Sequence, residues 1–389
     1  MKNEVYGPRE DSYLILEQVR KYTKGTVLDM GTGSGILAIE ASRKADFVYG
    51  IDINPQAIKK AKESSKGIEN IQFIKSDLFN YFKKNPEEFD LIIFNPPYLP
   101  EEKYEPKEIR LATTGGKKGY EILDKFLENA SQFLKPDGKI LIIFSTLTGK
   151  NKVHEIIENY AFNYHKLAEQ SFFYETIYAY LVEKSDFLIS LEDEGIKNIK
   201  KLTKGHRGLI YTGIKNKKIA IKRENPESKA VGRILNEARW LKFLNKYKIG
   251  PKFILHKDNF FIYYFVPGIF FPEFVEKAKK SDIKKVITSV FEQCFTLDKL
   301  KINKEEMHHP YKHIIVNNNK PTLLDFERTH ITEKPQNVTQ FCQYITSSKL
   351  SNTLKKKGLK IDKRKIISLS KKYKKEISKE NLSNILKSI

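Results

Sequence analysis

In the stretch "IIFNPPYLP", Ile92 to Pro100, a hydrophobic run stops at Asn95-Pro96-Pro97-Tyr98. Proline donates no backbone hydrogen bond and fixes φ, so neither proline continues a sheet. The Asn95 side-chain oxygen and the Pro96 carbonyl are therefore two acceptors held rigidly where a strand ends. Two such acceptors suit both N–H hydrogens of a single NH2 group, and the Tyr98 ring offers a flat face to a planar substrate. The amide of glutamine, N6 of adenine and N2 of guanine all meet that description, and these four residues do not choose among them. A Pro-Pro turn between a strand and a helix is the purely architectural use of the same residues. Their surroundings decide between the two uses.

Those surroundings alternate strands with helices. "TVLDMGTGSG" is a short apolar strand that runs into glycines, and "ILAIEASRKA" after it has helical spacing. "DFVYGIDIN" is a second strand, and "PQAIKKAKESS" is helical with Pro55 near its first turn. "IQFIKSDLF", "FDLIIFNPP", "GKILIIFST" and "TIYAYLVEK" read as further strands. This alternation predicts a mostly parallel sheet covered on both faces, with its ligands beyond the C-terminal strand ends. The chemistry-bearing residues cluster at those ends. Gly31, Gly33 and Gly35 permit a tight turn and close backbone approach to a ligand. Asp29 lies just before them. Asp52 ends the next strand, where a carboxylate takes both hydroxyls of a ribose. Asp77 ends the third strand, where an acidic side chain can reach an adenine amino group. The spacing G-x-G-x-G, one residue short of G-x-G-x-x-G, disfavours a dinucleotide.

With these motifs in place, the first half resembles the class I S-adenosylmethionine-dependent methyltransferases over about residues 1–184. Within that class it is similar to the HemK-type protein-glutamine N5-methyltransferases, in particular their archaeal and eukaryotic branch. The segments that carry the resemblance are "VYGPREDSYLI", "VLDMGTGSG", "GIDINP", "SDLF", "NPPYLP" and "TGGKKGYE", in that order. The resemblance implies a Rossmann-like α/β fold with a mostly parallel seven-stranded sheet. It also implies that Glu10 and Asp11 border the cofactor pocket, that the Asp29–Gly35 loop lies near the methionine part, that Asp52 holds the ribose, and that Asp77 and Leu78 lie near the adenine. Asn95, Pro96 and Tyr98 become the catalytic positions, and Asn95 also borders the cofactor. The methyl donor is already an activated electrophile, so the protein's task is to aim a nitrogen lone pair. Accepting both N–H hydrogens favours the pyramidal, more negative nitrogen of the transition state. No general base is evident, and none is needed before transfer. The resemblance favours glutamine in the Gly-Gly-Gln loop of a class 1 release factor, with a small zinc-binding activator subunit as a further partner. A nucleic-acid methyltransferase acting on adenine N6 is the competing expectation.

The second half has a different outline. "IKKLTKGHRGLIYTGIKNKKIAIKRE" reads as strand, glycine turn, strand, turn and strand, and "AVGRILNEARWLKFLNKY" reads as a helix. Over about residues 195–335 this order resembles the small atypical archaeal kinases of the RIO and Bud-like group, which implies a two-lobed α+β domain that binds ATP with Mg2+ or Mn2+. In that resemblance Gly205 and Gly208 stand in the phosphate-covering loop. Lys222 and Glu237 stand for the strand lysine and helix glutamate that hold the phosphates. Asp325 stands for the metal-binding aspartate, with Glu327 in place of the following glycine. The catalytic loop departs from the pattern. Glu306 aligns with the catalytic base and His313 falls near the second metal position, with an interval two residues longer than usual. His313 would favour Mn2+ over Mg2+, and His308 and His309 read as solvated loop residues. An active kinase and a nucleotide-binding pseudokinase that regulates the methyltransferase are both compatible with this set.

The charge distribution separates the two halves. Residues 1–184 carry 26 basic and 27 acidic side chains, and residues 185–389 carry 44 and 21. The whole excess of the +22 chain therefore lies in the second half, which predicts an anionic partner there, RNA or the ribosome. The near-neutral first half disfavours bare nucleic acid as its substrate. We expect a methyltransferase domain over 1–184, a kinase-like domain over 185–342, and a basic helical extension over 343–389 that holds 14 basic and 3 acidic residues. Two cysteines far apart, Cys294 and Cys342, exclude a disulfide framework and a cysteine zinc site. No apolar run reaches membrane-spanning length and no signal segment is legible, so a cytoplasmic protein without a membrane partner is expected.

Overall fold

The computed structural model describes residues 10–101, 113–204, 208–225 and 232–389, without the side chains of 10–12 and 204. The expectations for the Glu10 and Asp11 side chains and for Gly205 lie outside the described residues. The chain divides into two compact units, Met1–Leu202 with Gly213–Lys215, and Thr203–Thr212 with Asn216–Ile389.

The first unit is built on a seven-stranded sheet. Its strands are β1 (Thr26–Met30), β2 (Phe47–Asp52), β3 (Ile71–Lys75), β4 (Phe89–Phe94), β5 (Leu134–Ser145), β6 (Phe162–Ser171) and β7 (Thr176–Lys184), in the order β3-β2-β1-β4-β5-β7-β6. The first five pair in parallel, and β7 runs antiparallel to both β5 and β6. The central strands are apolar on both faces, because helices lie between successive strands. Helices α1 (Glu10–Tyr22) and α2 (Ile36–Ser42) contribute Ile15, Val19, Leu37 and Ala38 to one core cluster, together with Val27, Leu91 and Ile93 from the sheet. Helix α3 (Pro55–Ser64) starts at Asn54, whose side chain accepts from Gln56 N, with Pro55 at its first position. Helices α4 (Glu121–Ala130), α5 (Lys150–Asn159) and α6 (Asp186–Asp193) complete the described helices of this unit.

The sheet register sets up the site. Met30 lies opposite Ile51 on one side and Phe94 on the other. Gly31, Asp52 and Asn95 therefore leave the sheet at the same level. The chain also turns from β1 to β2 on one side and reaches β4 on the other, so their shared end is the switch point where α/β sheets bind ligands.

Strand β8 (Lys197–Lys204) falls mostly in the first unit, and in the second unit β9 (Gly208–Ile214), β10 (Lys218–Glu224), β11 (Phe253–Lys257) and β12 (Phe260–Tyr264) pair in the order β11-β12-β10-β9. Helix α7 (Arg233–Leu244) turns Ile234, Ala238, Leu241 and Leu244 into a core shared with Phe261. It also carries Trp240, the chain's single tryptophan, which packs partly buried against that core. Helix α8 (Phe271–Lys277) precedes the long α9 (Lys280–Lys299), which buries Ile283, Val286, Ile287, Val290, Phe291, Cys294 and Leu297 along one stripe. Short strands β13 (Ile269–Phe270), β14 (Ile302–Asn303), β15 (Ile314–Asn317), β16 (Lys320–Leu323) and β17 (His330–Ile331) form two small sheets.

Four helices end the chain: α10 (Asn337–Ile345), α11 (Ser348–Lys356), α12 (Lys363–Lys375) and α13 (Lys379–Leu386). The basic extension closes the same core, through Ile366 and Tyr373 of α12 and Leu382 and Ile385 of α13. The Tyr373 hydroxyl donates at 3.1 Å to buried Asp298, which also accepts from Asn337 Nδ2 at 2.6 Å and from Val338 N at 3.1 Å. The other face of α12 is cationic, with Lys363, Arg364, Lys365, Lys371, Lys372, Lys374 and Lys375 all exposed.

Candidate functional site

Three glycines shape the loop after β1. Gly31, Gly33 and Gly35 all take positive φ, at 69°, 55° and 84°. A side chain on Gly35 would press into Ala61 and Phe73, so that glycine serves helix–sheet packing. A methyl placed on Gly31 or Gly33 would meet nothing nearer than 3.9 Å. Around those two the backbone borders open space, as a pocket for a ligand requires.

Two carboxylates brace the loop. Asp29 is 1% exposed, and its Oδ2 accepts from Thr32 Oγ1 at 2.6 Å and from Ala38 N at 3.1 Å. Burial raises its carboxyl to about 7, against the pull of those two donors and with a further push from Asp52. Asp52 Oδ2 accepts from Gly33 N at 3.0 Å and Oδ1 from Asn54 N at 2.8 Å. Burial raises the Asp52 carboxyl as well. Each Asp52 oxygen keeps a second lone-pair site, so the group is fixed in place and still able to accept two hydroxyls. Asp77 stands exposed at the start of a short helical turn, and Leu78 beside it holds φ 45°. Ser76 ties that turn together, donating to Leu78 O at 3.0 Å and accepting from Tyr81 N at 3.1 Å.

The raised Asp29 carboxyl makes stability depend on pH. The folded chain holds the Asp29 proton up to about pH 7, whereas an unfolded chain releases it near pH ~4. This contribution is complete below about pH 4 and is lost as pH rises to 7. Asn in its place keeps an oxygen for Thr32 and Ala38 and has no proton to lose. Asp29→Asn is expected to flatten the stability profile between pH 4 and 7 and to be more stable than the wild type at pH 8 by about 2–4 kcal/mol. Urea unfolding at a series of pH values checks this. An unchanged slope in the variant would place the titration elsewhere.

Beyond β4, Asn95 is partly exposed while its Oδ1 is buried, and Pro96 is buried. The Tyr98 ring is half-buried against the α1 side of the core. The loop is held by a second segment, residues 113–119. Leu99 N donates to Thr113 O at 2.9 Å, Gly115 N to Leu99 O at 2.9 Å, and Glu101 N to Gly116 O at 3.0 Å. Side chains at Gly115 and Gly119 would collide with backbone, at Pro97 O for the first and Tyr98 O for the second. "TGGKKGYE" is therefore the clasp of "NPPYLP". Its Glu121, at the start of α4, accepts from Lys118 N and Tyr120 N and shapes the clasp in turn. Thr148 adds a third hold, donating to Tyr98 O at 3.0 Å.

Gly119→Ala puts a methyl 2.5 Å from Tyr98 O at a φ of 85°. It is expected to displace the Asn95 loop and to lower the transfer rate by about 10²-fold, as small misplacements do. Cofactor affinity, measured calorimetrically, should stay near the wild-type value. Parallel losses of affinity and rate would mean that the clasp also shapes the cofactor pocket.

In the second unit Lys222 and Glu237 meet. Lys222 Nζ donates to Glu237 Oε2 at 2.5 Å and lies 3.3 Å from Asp325 Oδ1. Burial alone would drive off the Lys222 proton. Glu237 and Asp325 outweigh burial and hold the ammonium well above its ordinary value. Glu237 is 4% exposed and also accepts from Phe326 N at 3.2 Å. Burial works against the ionised Asp325 carboxylate, but Lys222, Lys304 and His313 together lower it. Gly208 lies beside this pair, since a methyl there would be 3.5 Å from Lys222 Cε. Glu327 is anchored to α7 by Arg233 at 3.0 Å.

Glu306 and His313, far apart in an ordinary loop reading, are neighbours. His313 Nε2 is 3.4 Å from Glu306 Oε2 and 3.7 Å from Asp325 Oδ2. Glu306 Oε1 pairs with Arg328 at 2.9 Å. Glu306 and Asp325 both hold left-handed backbone, at φ 74° and 63°, an uncommon conformation for such residues. His308 and His309 are exposed. Thr32, Thr148, Lys304 and Arg328 escaped the sequence reading, because nothing in a linear pattern marks a hydroxyl or a cation that meets its partner only after folding.

A methyltransferase-domain family matches residues 22–239. A candidate protein N5-glutamine methyltransferase of Methanocaldococcus jannaschii is 42% identical over 153 residues, which are 38% of this chain and 76% of that protein. A release factor glutamine methyltransferase of Fusobacterium nucleatum is 40% identical over 113 residues, which are 27% of this chain and 32% of that protein. The chain thus spans about a third of the Fusobacterium protein's length. Among solved structures, the E. cuniculi Mtq2–Trm112 complex responsible for methylation of the eRF1 translation termination factor aligns with a TM-score of 0.38 at 22% identity, over 46% of this chain and 99% of that one. Among the described residues no helix is long and apolar enough to cross a membrane. The first unit's glycine loop, its two braced carboxylates and its clasped Asn-Pro-Pro-Tyr thus have their counterpart in sequence kinship: the chain belongs to the S-adenosylmethionine-dependent methyltransferases, in the family of the protein N5-glutamine methyltransferases.

Proposed function

We propose that the first unit methylates the side-chain amide nitrogen of a glutamine in the Gly-Gly-Gln loop of a class 1 release factor. The observation that carries this reading is the clasped loop after β4, whose backbone at Tyr98, Leu99 and Glu101 is held by Thr148 and by the 113–119 segment immediately after Asn95 and Pro96. The relatives' names support glutamine over a nucleobase. S-adenosylmethionine, when bound, supplies a methyl group on a sulfonium. The open space at Gly31 and Gly33 and the spare lone pairs of Asp52 fit that molecule. Asn95 and Pro96 accept the two amide hydrogens, which turns the nitrogen lone pair outward and strengthens both bonds as charge develops on nitrogen. Tyr98 flanks the amide plane. The excess proton leaves to water after transfer.

The test is methyl transfer from labelled cofactor to a release factor with an intact or Gln-substituted Gly-Gly-Gln loop, with RNA and DNA in parallel. A small zinc-binding subunit is added in a second arm. Label on intact release factor alone is expected. Label on RNA alone would overturn glutamine in favour of a nucleobase.

For the second unit we propose a kinase-like nucleotide site, supported by the Lys222–Glu237 pair beside Asp325. ATP with Mg2+ or Mn2+ should raise the melting temperature of the chain, and Asp325→Asn should abolish the rise. A rise that persists in the variant would remove Asp325 from the site.

A further inference from the structure

We propose that the tip of the β6–β7 hairpin, Phe173 with Tyr174, is a docking point for the body of the protein substrate, well away from the glutamine that is methylated. This docking point rests on the glutamine reading of the first unit and adds where its substrate is gripped.

The tip is not composed for turning. Phe172 N donates to Glu175 O at 2.7 Å, which leaves Phe173 and Tyr174 alone to reverse the chain. Gly, Pro, Asn, Asp and Ser are the residues that favour such a reversal, and Phe and Tyr bring nothing to it. Both side chains stand almost wholly in solvent, 90% and 85% exposed, and their rings meet edge to face with centroids 4.6 Å apart. Exposed aromatic side chains gathered in one place are the usual mark of a surface that another molecule covers.

The hairpin rises from the catalytic end of the sheet. Phe94, the residue before Asn95, lies opposite Ile142, and Ile142 lies opposite Tyr180. Tyr174 comes six residues before Tyr180. At about 3.3 Å per residue, the tip therefore stands roughly 20 Å beyond the level at which Asn95 leaves the sheet. One turn, Thr146–Thr148, secures both features. Thr146 Oγ1 accepts from Thr176 N at 3.0 Å at the base of the hairpin, and Thr148 donates to Tyr98 O at 3.0 Å in the catalytic loop. A glutamine side chain reaches only about 5 Å from its Cα. A substrate seated at Asn95 and at the tip together meets the tip with its body, not with the glutamine or its immediate neighbours.

Charge and area select the occupant. Residues 167–183 hold three acidic side chains, Glu169, Glu175 and Glu183, and no Lys or Arg. A phosphate backbone finds no cation there, which sets nucleic acid aside. Two aromatic side chains bury together about 300–500 Å², well under the ~800 Å² per partner of a stable dimer. That area suits a contact that must also let its product go, and an aromatic anchor concentrates binding energy in few residues.

The experiment uses the full chain carrying Phe173→Ser and Tyr174→Ser together, two exposed positions. With intact release factor, KM is expected to rise about 10–100-fold while kcat stays near the wild-type value, because a remote contact serves ground state and transition state alike. A short Gly-Gly-Gln peptide does not reach the tip, so its kcat/KM should be the same for both enzymes. Calorimetric titration with the Gln-substituted factor, which accepts no methyl group, should show the same 10–100-fold loss of affinity in the double variant. Unchanged KM and affinity for the factor overturn the docking point and leave glutamine methylation standing. An equal loss on the peptide overturns the remote contact and places the rings at the active site. Tip-dependent binding of the factor without its methylation overturns the glutamine reading and leaves the docking point. Label on RNA alone overturns both. A dimer of the wild type that separates in the double variant assigns the rings to a second copy of the chain and overturns the docking point.

Discussion

Asn95→Ala is expected to lower kcat for methyl transfer by about 10²–10³-fold, the usual loss when one fixed group that meets developing charge is removed. The side chain contributes an acceptor whose bond to the amide strengthens only as the nitrogen gains charge, so the loss falls on kcat and not on ground-state binding. Cofactor affinity should fall far less than kcat, because the β1 loop and Asp52 are braced by Thr32 Oγ1 and by the backbone N–H groups of Gly33, Ala38 and Asn54. Asn95→Gln keeps the amide but moves its oxygen by about one bond, roughly 1.5 Å, and should fall nearly as far. Single-turnover transfer with labelled cofactor separates these outcomes. Wild-type transfer in Asn95→Ala would remove the clasped loop from catalysis and leave it as architecture.

Lys222→Met is expected to destabilise the second unit by about 3–5 kcal/mol, since it leaves Glu237 buried without its cation. Asp325 lies on the same side of the lost ammonium, so the two carboxylates then face each other. Trp240 is the only tryptophan and sits on the helix that carries Glu237, so its fluorescence follows this unit alone. At a urea dependence of about 2 kcal/mol per molar, the midpoint should fall by about 1.5–2.5 M. A second change, Glu237→Leu in the same chain, removes the stranded carboxylate and should recover part of the loss. A shift below about 0.5 M for Lys222→Met would mean that the ion pair is no more than a surface contact.

The central strands of the first unit were legible because β1, β2 and β4 are mostly apolar and run into Gly31, Asp52 and Asn95-Pro96. Strand β6 was not. "FNYHKLAEQS" is an edge strand, largely exposed, with no alternation to mark it. The ends of β1, β2 and β4 could be placed together from the pattern alone, since parallel neighbours share a level. The clasp was legible as a motif but not as a contact. Gly115 and Gly119 meet the 97–99 backbone across a stretch whose course a linear sequence does not encode. Glu306 shows the limit most clearly. Its alignment with a catalytic base counts residues, whereas its direction is set by a left-handed backbone and by Arg328, 22 positions away in the sequence.

The C-terminal helices carry a consequence for how their charge is to be probed. Because α12 and α13 seal the core with Ile366, Tyr373, Leu382 and Ile385, cutting the chain before them would open the fold and destroy any signal for trivial reasons. The inner and outer faces of α12 are separable by substitution instead. Changing Lys371, Lys372, Lys374 and Lys375 to Gln leaves Ile366 and Tyr373 in place, so a loss of salt-sensitive RNA attraction in that variant can be read as electrostatics in an intact molecule.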